Sequence, residues 1–291
     1  MEYNQPMSSY TLLAVLAHPD DESFGMGGTL AYYASRGVDV YLVCATRGEV
    51  GVVAPEMLER FDSIGDLREH ELRCAASTLG LKEVYFLDYR DSGMPGTEDN
   101  HHPKALAAQS LEEVAANVVC YIRDLKPQVV LTFDPYGGYG HPDHIAIQRA
   151  TVKAFEQANN PDFAPESQPI YSPQRLYFHV MPHGFMKLAV KFLPLIGRDP
   201  HKFGVNGDID LTEIAKLDFP THARINIHSV LKKKEEAAAC HASQGGGRMG
   251  GSLASFLLRF FSNNESFMRV YPAVEEGEKK EHDLFAAVRE G

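Results

Sequence analysis

The sequence predicts an α/β protein in which helices cover both faces of a mostly parallel sheet. Short apolar runs alternate with helical patterns through the first half of the chain, and polar clusters directly follow four of those runs. With 291 residues, 44% of them hydrophobic, the chain can bury a substantial core. Because ligands of open parallel sheets bind at the carboxyl ends of the strands, the polar clusters predict where a functional site lies.

Each predicted element rests on its own hydrophobic pattern. Apolar runs predict strands at residues 11–17, 38–45, 84–87, 129–133 and 175–180. Helical spacing of apolar residues predicts helices at residues 22–35, 66–79, 111–125 and 143–158. Gly37 and Gly80 follow the first two of these helices, and glycine is a common helix terminator.

The glycines of residues 25–28 lie inside the first helical pattern. Their spacing is not GxGxxG, and no acidic residue ends the second strand, so the pattern argues against a dinucleotide site. We expect these glycines to allow close packing of the helix beneath the site.

Composition and charge exclude several function classes. The chain has 28 Lys and Arg against 39 Asp and Glu, a net charge of −11, which argues against a nucleic-acid partner. No apolar stretch reaches the ~18 residues of a membrane span. The first residues, MEYNQPMSSY, lack a signal-peptide pattern, so we expect a cytoplasmic protein. The four cysteines form no CxxC pair, and we expect reduced thiols and no disulfide.

The pattern is less regular after residue 180. Residues 245–251 predict a glycine-rich hinge, and residues 252–261 place five large apolar side chains on one helical face. We expect this face to join the core or a homo-oligomer interface, because it has too few basic residues for a membrane-surface helix.

Two clusters of histidine and aspartate follow predicted strands and indicate a catalytic metal site. HPDDE begins at His18, after the first strand, and GHPDH ends at His144, at the start of a helix. Two histidines and one carboxylate, here His18, Asp21 and His144, leave coordination positions open, which is typical of catalytic zinc. Water on such a metal has a pKa near ~7 and becomes a usable nucleophile.

The other polar residues of the clusters suggest catalytic roles. Asp20, beside the predicted ligand Asp21, is the candidate general base for the water. A protonated His141 and the hydroxyl of Tyr139 are candidates to stabilise an oxyanion. A spare carboxylate such as Asp20 argues against a metal-binding module without catalysis.

Both clusters resemble a known family. AHPDDESFGMGGTL, at residues 17–30, and GYGHPDH, at residues 138–144, are similar to motifs of the PIG-L/LmbE family of zinc-dependent de-N-acetylases. The resemblance spans residues 10–150, with smaller matches at TRGEVG and YRDSGMPGT. Members of the family deacetylate N-acetylglucosaminyl-phosphatidylinositol and the precursors of mycothiol and bacillithiol, and a related member is an amidase of mycothiol conjugates.

The resemblance implies a Rossmann-like three-layer fold and hydrolysis of the N-acetyl group of an N-acetylglucosamine-type conjugate. It implies roles for eight residues: His18, Asp21 and His144 as metal ligands, Asp20 as general base, His141 and Tyr139 beside the tetrahedral intermediate, and Arg68 and Asp91 at the sugar. Residues 161–226 align with no family segment. We therefore expect a single domain, 1–291, in which 161–226 is a variable region covering the pocket.

Alternatives remain open from the sequence. An amidase that cleaves thiol conjugates of a glucosaminyl compound would use the same site. Two histidines and a carboxylate also suit a non-haem Fe(II) oxygenase, although such enzymes usually have a β-rich barrel and this chain alternates strands and helices. Ferrous iron is likewise the alternative to zinc in the deacetylase itself.

Overall fold

A computed structural model describes residues 10–164, 168–181, 183–202, 207, 209–246 and 263–289. Its strands are β1 (Thr11–Leu16), β2 (Asp39–Cys44), β3 (Glu83–Phe86), β4 (Val129–Phe133), β5 (Arg175–Val180), β6 (Ala223–Asn226) and β7 (Asn264–Tyr271). They form one sheet in the order β3-β2-β1-β4-β5-β7-β6. Pairs from β3 to β5 are parallel, and β7 is antiparallel to both β5 and β6. The predicted mostly parallel α/β fold is confirmed.

Helices cover the sheet in two layers. A π-helical turn spans Glu22–Met26, and the α-helices are α1 (Gly27–Ala34), α2 (Ile64–Leu79), α3 (Leu111–Leu125), α4 (Gly137–Gly140), α5 (Pro142–Gln157), α6 (His183–Phe192), α7 (Leu211–Ile214) and α8 (Leu231–Cys240). Helices α1, α2 and α8 contact one another as one layer, and α3 packs against α5 in the other. The core lies between these layers and the sheet.

Local sequence explains where the elements that carry the site begin. The hydroxyl of Ser63 accepts from the backbone N–H of Asp66 and caps α2, while Gly80 ends that helix with a φ of 83°. Pro142 occupies the first turn of α5, where its missing N–H costs nothing. The predicted helix at residues 22–35 is instead a π-helical turn followed by α1.

The predicted close packing of the glycines at residues 25–28 holds at Gly28. A Cβ atom there would lie 2.4 Å from Cδ1 of Ile227, in the segment after β6. No other residue type fits without displacing Ile227. This glycine therefore lets α1 pack closely against the segment after β6.

The expectation of four reduced thiols is wrong. Cys74 in α2 and Cys240 at the end of α8 form a disulfide, with their Cα atoms 5.9 Å apart. The two cysteines are 166 residues apart in sequence and meet because α2 packs against α8, a contact that no local pattern predicts. Cys44 and Cys120 are free.

The structure describes only parts of two regions that were singled out from the sequence. Residues 161–226 contain β5, β6, α6 and α7, and their role as a pocket cover stays a prediction. The apolar face of residues 252–261 and most of the hinge before it lie outside the described residues. Among the residues that are described, no helix is both long and apolar enough to cross a membrane.

Candidate active site

The polar residues that follow the first four strands meet at the carboxyl ends of those strands. His18, after β1, has its Nε2 3.6 Å from the carboxylate of Asp91, after β3, and 3.1 Å from that of Asp143, after β4. Arg68 of α2 donates a hydrogen bond to the carbonyl oxygen of Gly48, after β2, at 3.1 Å. The structure thus brings the predicted clusters together at the predicted edge of the sheet.

The predicted ligands His18, Asp21 and His144 face one another. Nδ1 of His18 lies 3.1 Å from Nε2 of His144. The two oxygens of Asp21 lie 3.3 Å from Nε2 of His144 and 3.7 Å from Nδ1 of His18. The backbone N–H of His18 donates to Asp21 at 2.8 Å and fixes the carboxylate. Tetrahedral ligands of zinc lie about 3.3 Å apart, so the spacing fits a metal ion.

The outer nitrogens of both rings are already bonded. Nδ1 of His144 lies 3.1 Å from the carbonyl oxygen of Gly137, which can only accept, so Nε2 presents a lone pair. A neutral His18 donates from Nε2 to Asp143 and presents its lone pair from Nδ1. Two lone pairs 3.1 Å apart repel unless a cation lies between them. The orientation of the rings therefore fits the donor set of a metal site.

The carboxylates around His18 and His144 favour a positive charge at these two rings. Burial lowers the pKa of His18, but the charge of Asp91 and the hydrogen bond to Asp143 outweigh it and raise the pKa well above its usual value. Burial and the charge of His18 lower the pKa of His144. Metal binding therefore competes with protonation of His18.

Asp20 lies beside the donor set on a strained backbone. Its φ is 118°, a region that residues other than glycine rarely adopt. Its Oδ2 accepts a hydrogen bond from Nη2 of Arg68 at 3.2 Å. Burial raises the pKa of Asp20 to about 7, with Arg68 opposing the rise and Asp21 adding to it. A carboxyl group with a pKa near neutral pH can both accept and return a proton.

The hydrogen bonds of His141 fit a neutral ring. It caps α5, and its Nδ1 accepts from the backbone N–H of Asp143 at 3.2 Å, so its own hydrogen is on Nε2. Burial, followed by the charges of His18 and His144, lowers the pKa of His141 to about 2. The geometry therefore favours a neutral hydrogen-bond donor over the protonated acid considered from the sequence.

Tyr139 lies in α4, the short turn before α5, and faces the same rings. Its ring centroid is 4.9 Å from that of His144 and 5.9 Å from that of His141, both edge-on. Burial and the charge of Asp21 raise the pKa of Tyr139 well above its usual value, so the hydroxyl keeps its hydrogen and can donate it.

Arg68 and Asp91, predicted at the sugar, have partners within the protein. Arg68 also donates to the carbonyl oxygen of Pro19 at 2.6 Å, while its Nε is buried with no hydrogen-bond partner among the described residues. Asp91 accepts from the backbone N–H of Gly93 at 2.8 Å. Burial raises the pKa of Asp91, but the charge of His18 outweighs it and holds the pKa well below its usual range. Contacts of these two residues with a sugar stay predictions.

Asp143 is a site residue that the sequence analysis did not single out. It is fully buried, accepts from both the backbone N–H (2.8 Å) and the hydroxyl of Ser92, and bonds Nε2 of His18 at 3.1 Å. A carboxylate behind a ligating histidine sets its tautomer and orientation. Its place between His141 and His144 in the HPDH motif was the available signal.

Glu22 and His241 form a pair of site residues to which the sequence analysis assigned no role. Glu22 ends the HPDDE motif and accepts from the backbone N–H of Asp20 at 3.0 Å. Its other oxygen lies 2.7 Å from Nε2 of His241, which follows α8. The two residues are 219 positions apart, so local pattern carries no signal for the pair.

The comparison with known sequences agrees with this geometry. The family model for PIG-L, the GlcNAc-PI de-N-acetylase, matches residues 13–155. The 1D-myo-inositol 2-acetamido-2-deoxy-alpha-D-glucopyranoside deacetylase of Acidothermus cellulolyticus is 36% identical over 289 residues, which cover 96% of this chain and 95% of that protein.

Solved structures share the fold. The conserved protein TT1542 of Thermus thermophilus superposes with a TM-score of 0.60 at 24% identity, covering 91% of this chain and 96% of that one. GalB, the 4-carboxy-2-hydroxymuconate hydratase of Pseudomonas putida, has a TM-score of 0.59 at 22% identity, covering 92% and 99%. These likenesses show the fold alone, and function has to be argued from the site.

The family assignment rests on the sequence relatives. The match to the Acidothermus protein runs along nearly the whole of both chains, and the match to the family model includes both histidine-aspartate clusters. The resemblance stated from the motifs is confirmed: the chain belongs to the PIG-L family of de-N-acetylases.

Proposed function

We propose that this chain hydrolyses the N-acetyl group of an N-acetylglucosamine-type conjugate, with a metal ion held by His18, Asp21 and His144. The observation that carries the proposal is the 3.1 Å approach of the two imidazole nitrogens beside the carboxylate of Asp21. Zinc suits this set of two nitrogens and one oxygen and, when bound, supplies a Lewis acid and water of lowered pKa.

Asp20 serves as the base that takes the proton of the attacking water. Arg68 holds the carboxylate at 3.2 Å, which limits its freedom to turn away. Because burial raises the pKa of Asp20 to about 7, the same group can return the proton to the leaving amine.

His141 and Tyr139 act on the oxygen of the acetamide. The Nε2–H of a neutral His141 and the hydroxyl of Tyr139 are both donors, and donors fixed before the reaction stabilise the charge that develops on the carbonyl oxygen. Their positions in the turn and cap before α5 place both beside His144, one of the proposed ligands.

The first substrate to test is the one named for the relative, the acetamidoglucosyl inositol. The chain, loaded with zinc or with ferrous iron, is assayed for acetate and free amine with this compound, with free N-acetylglucosamine, and with a thiol conjugate of glucosaminyl inositol. We expect deacetylation of an N-acetylglucosaminyl conjugate. Cleavage of the thiol conjugate alone would establish the amidase instead.

The matched variants test the mechanism. Asp20→Ala should keep its metal and lose about 10²–10⁴-fold in kcat. Asp39→Ala, which removes a carboxylate at the opposite end of β2, should keep full activity. Retained acetate release by metal-loaded Asp20→Ala would show that Asp20 is not the base.

A further inference from the structure

We propose that Glu22, supported by His241, is a positioning residue that holds Asp20 in its reactive orientation. The inference rests on the proposed role of Asp20 as the base and adds the structural reason why this carboxylate points into the site. Glu22 and His241 are both fully buried.

The backbone of Asp20 is held at both of its polar groups. Its N–H donates to Oε2 of Glu22 at 3.0 Å, and its carbonyl oxygen accepts from the N–H groups of Ser23 and Phe24 at 3.0 and 2.9 Å. The preceding carbonyl, of Pro19, accepts from Nη2 of Arg68 at 2.6 Å. The peptide group between residues 19 and 20 is therefore clamped from two sides.

The clamp has to oppose conformational strain. A φ of 118° at Asp20 costs free energy for any residue with a Cβ atom, and such a conformation persists only where its surroundings enforce it. The acceptor that Glu22 offers to this N–H is the contact that would be lost if the backbone turned to a negative φ. Removing it should let Asp20 relax and its carboxylate move away from the metal ligands.

His241 fixes Glu22 in turn. The distance between Nε2 of His241 and Oε1 of Glu22 is 2.7 Å, and the hydroxyl of Ser23 donates to the same oxygen at 2.5 Å. Nδ1 of His241 is buried and has no hydrogen-bond partner within the described chain. Glu22 is thus the hydrogen-bond partner that the structure gives this ring.

A merely structural role is a poor explanation of the pair. Burying an acid and a base often adds little to folding stability compared with apolar side chains of the same size, but it can specify one geometry. The chain also contains a carboxylate that anchors the same segment without reaching the base. Glu71 of α2 accepts from the backbone N–H (2.8 Å) and hydroxyl (2.6 Å) of Ser243, two residues after His241.

The test compares Glu22→Ala with Glu71→Ala in the metal-loaded full chain. Glu22→Ala should lose about 10–10²-fold in kcat, the range expected for a small misplacement of a catalytic group, with KM and metal content nearly unchanged. Glu71→Ala should lower Tm but leave kcat near the unmodified value. Glu22→Gln keeps an oxygen that can accept from Asp20 and should recover most of the activity.

A double-mutant cycle separates this inference from the proposed function. If Glu22 acts through Asp20, then Glu22→Ala should cost no further activity in an Asp20→Ala background. Equal losses in both backgrounds, or equal effects of Glu22→Ala and Glu71→Ala on kcat, would overturn the positioning role. Full activity of Asp20→Ala alone would instead contradict the proposed function. If Glu22→Ala does not fold, His241→Gln, which removes the ring that supports Glu22, carries the same cycle.

Discussion

Nδ1 of His18 and Nε2 of His144 lie 3.1 Å apart, and each ring has its other nitrogen bonded to an oxygen of the protein. This relationship orients two lone pairs toward one point, with the carboxylate of Asp21 beside it. His141 also lies near, since one ring nitrogen from each of these three histidines falls within 4.8 Å of the others. Substituting these histidines one at a time can therefore show which of them bind the metal.

His144→Ala should abolish stoichiometric metal binding, because it removes one of the three proposed ligands. His141→Ala should keep the metal and lose activity, because the proposed role of His141 is to donate to the substrate. Metal analysis by mass spectrometry after dialysis checks both variants. Loss of the metal from His141→Ala with retention by His144→Ala would exchange their roles.

Asp143→Asn should weaken metal binding about 10–100-fold, because Asp143 sets the orientation of His18 from behind. The side-chain amide keeps the size of the carboxylate but offers only one acceptor for His18 and Ser92 together. Competition with a chelator measures the metal affinity. An unchanged affinity would mean that Asp91, at 3.6 Å, orients His18 without help.

In the metal-free protein, the contribution of Asp20 to stability should be lost as the pH rises from about 4 to about 7. Burial raises the pKa of Asp20 from its ordinary 3.8 to about 7, so the folded state keeps a proton that the unfolded chain releases. This contribution is fully present below pH 3.8 and is lost as the pH passes 7. Asp20→Asn does not titrate, so the difference in free energy of unfolding between the two proteins should change across this window.

Other groups titrate in the same interval, which is why the comparison with Asp20→Asn is needed. Burial and the charges of its neighbours lower the pKa of His141 from its ordinary 6.5 to about 2. This ring therefore favours the unfolded state as the pH falls below 6.5. Its effect is shared by both proteins and cancels in the difference. A pH-independent difference would show that Asp20 titrates normally.

The disulfide between Cys74 and Cys240 should be detectable and stabilising. In denaturant without a reductant, alkylation should modify two of the four cysteines, and all four after reduction. Replacing both cysteines with serine should lower the free energy of unfolding by about 2–5 kcal/mol, because the bridge closes a long loop. Cys120→Ser, at a free and half-buried thiol, is the control and should change stability little.

Most of the parallel part of the sheet could be predicted because its signals are local. The apolar runs of β4 and β5 coincide with the observed strands, and the helical spacing of α3 coincides with the observed helix. The two HPD clusters follow β1 and β4, which are neighbours in the sheet, so their convergence follows from the order of the strands.

The parts that sequence analysis missed depend on contacts between distant segments. β7 pairs antiparallel with β5 and β6 at the edge of the sheet, and its sequence, NESFMRVY, alternates less clearly than an isolated half-buried strand. The bond from His241 to Glu22 and the disulfide of Cys240 both arise because α8 packs against α1 and α2. The packing of one helix against another produces no periodic sequence pattern from which the partner residue could be predicted.

Gly48→Ala should lower activity far more than its effect on backbone strain explains. Gly48 has a φ of 67°, and a Cβ atom there would lie 1.9 Å from Nη1 and 2.3 Å from Cζ of Arg68. Arg68 cannot move aside without releasing the carbonyl of Pro19 and the carboxylate of Asp20. Gly96 provides the matched control, because its φ is 85° and a Cβ atom there meets nothing within 4 Å.

Both substitutions place a Cβ atom on a residue with a positive φ, which costs about 1–2 kcal/mol. This backbone cost should lower the Tm of the two variants by similar amounts. Only Gly48→Ala should also displace Arg68, so we expect a loss of about 10–10²-fold in kcat, with Gly96→Ala near the unmodified rate. Steady-state kinetics of the metal-loaded proteins at a temperature well below both Tm values makes the comparison. Equal rates for the two variants would show that Asp20 keeps its orientation without Arg68, and the clamp on the peptide group between residues 19 and 20 would then reduce to its bond with Glu22.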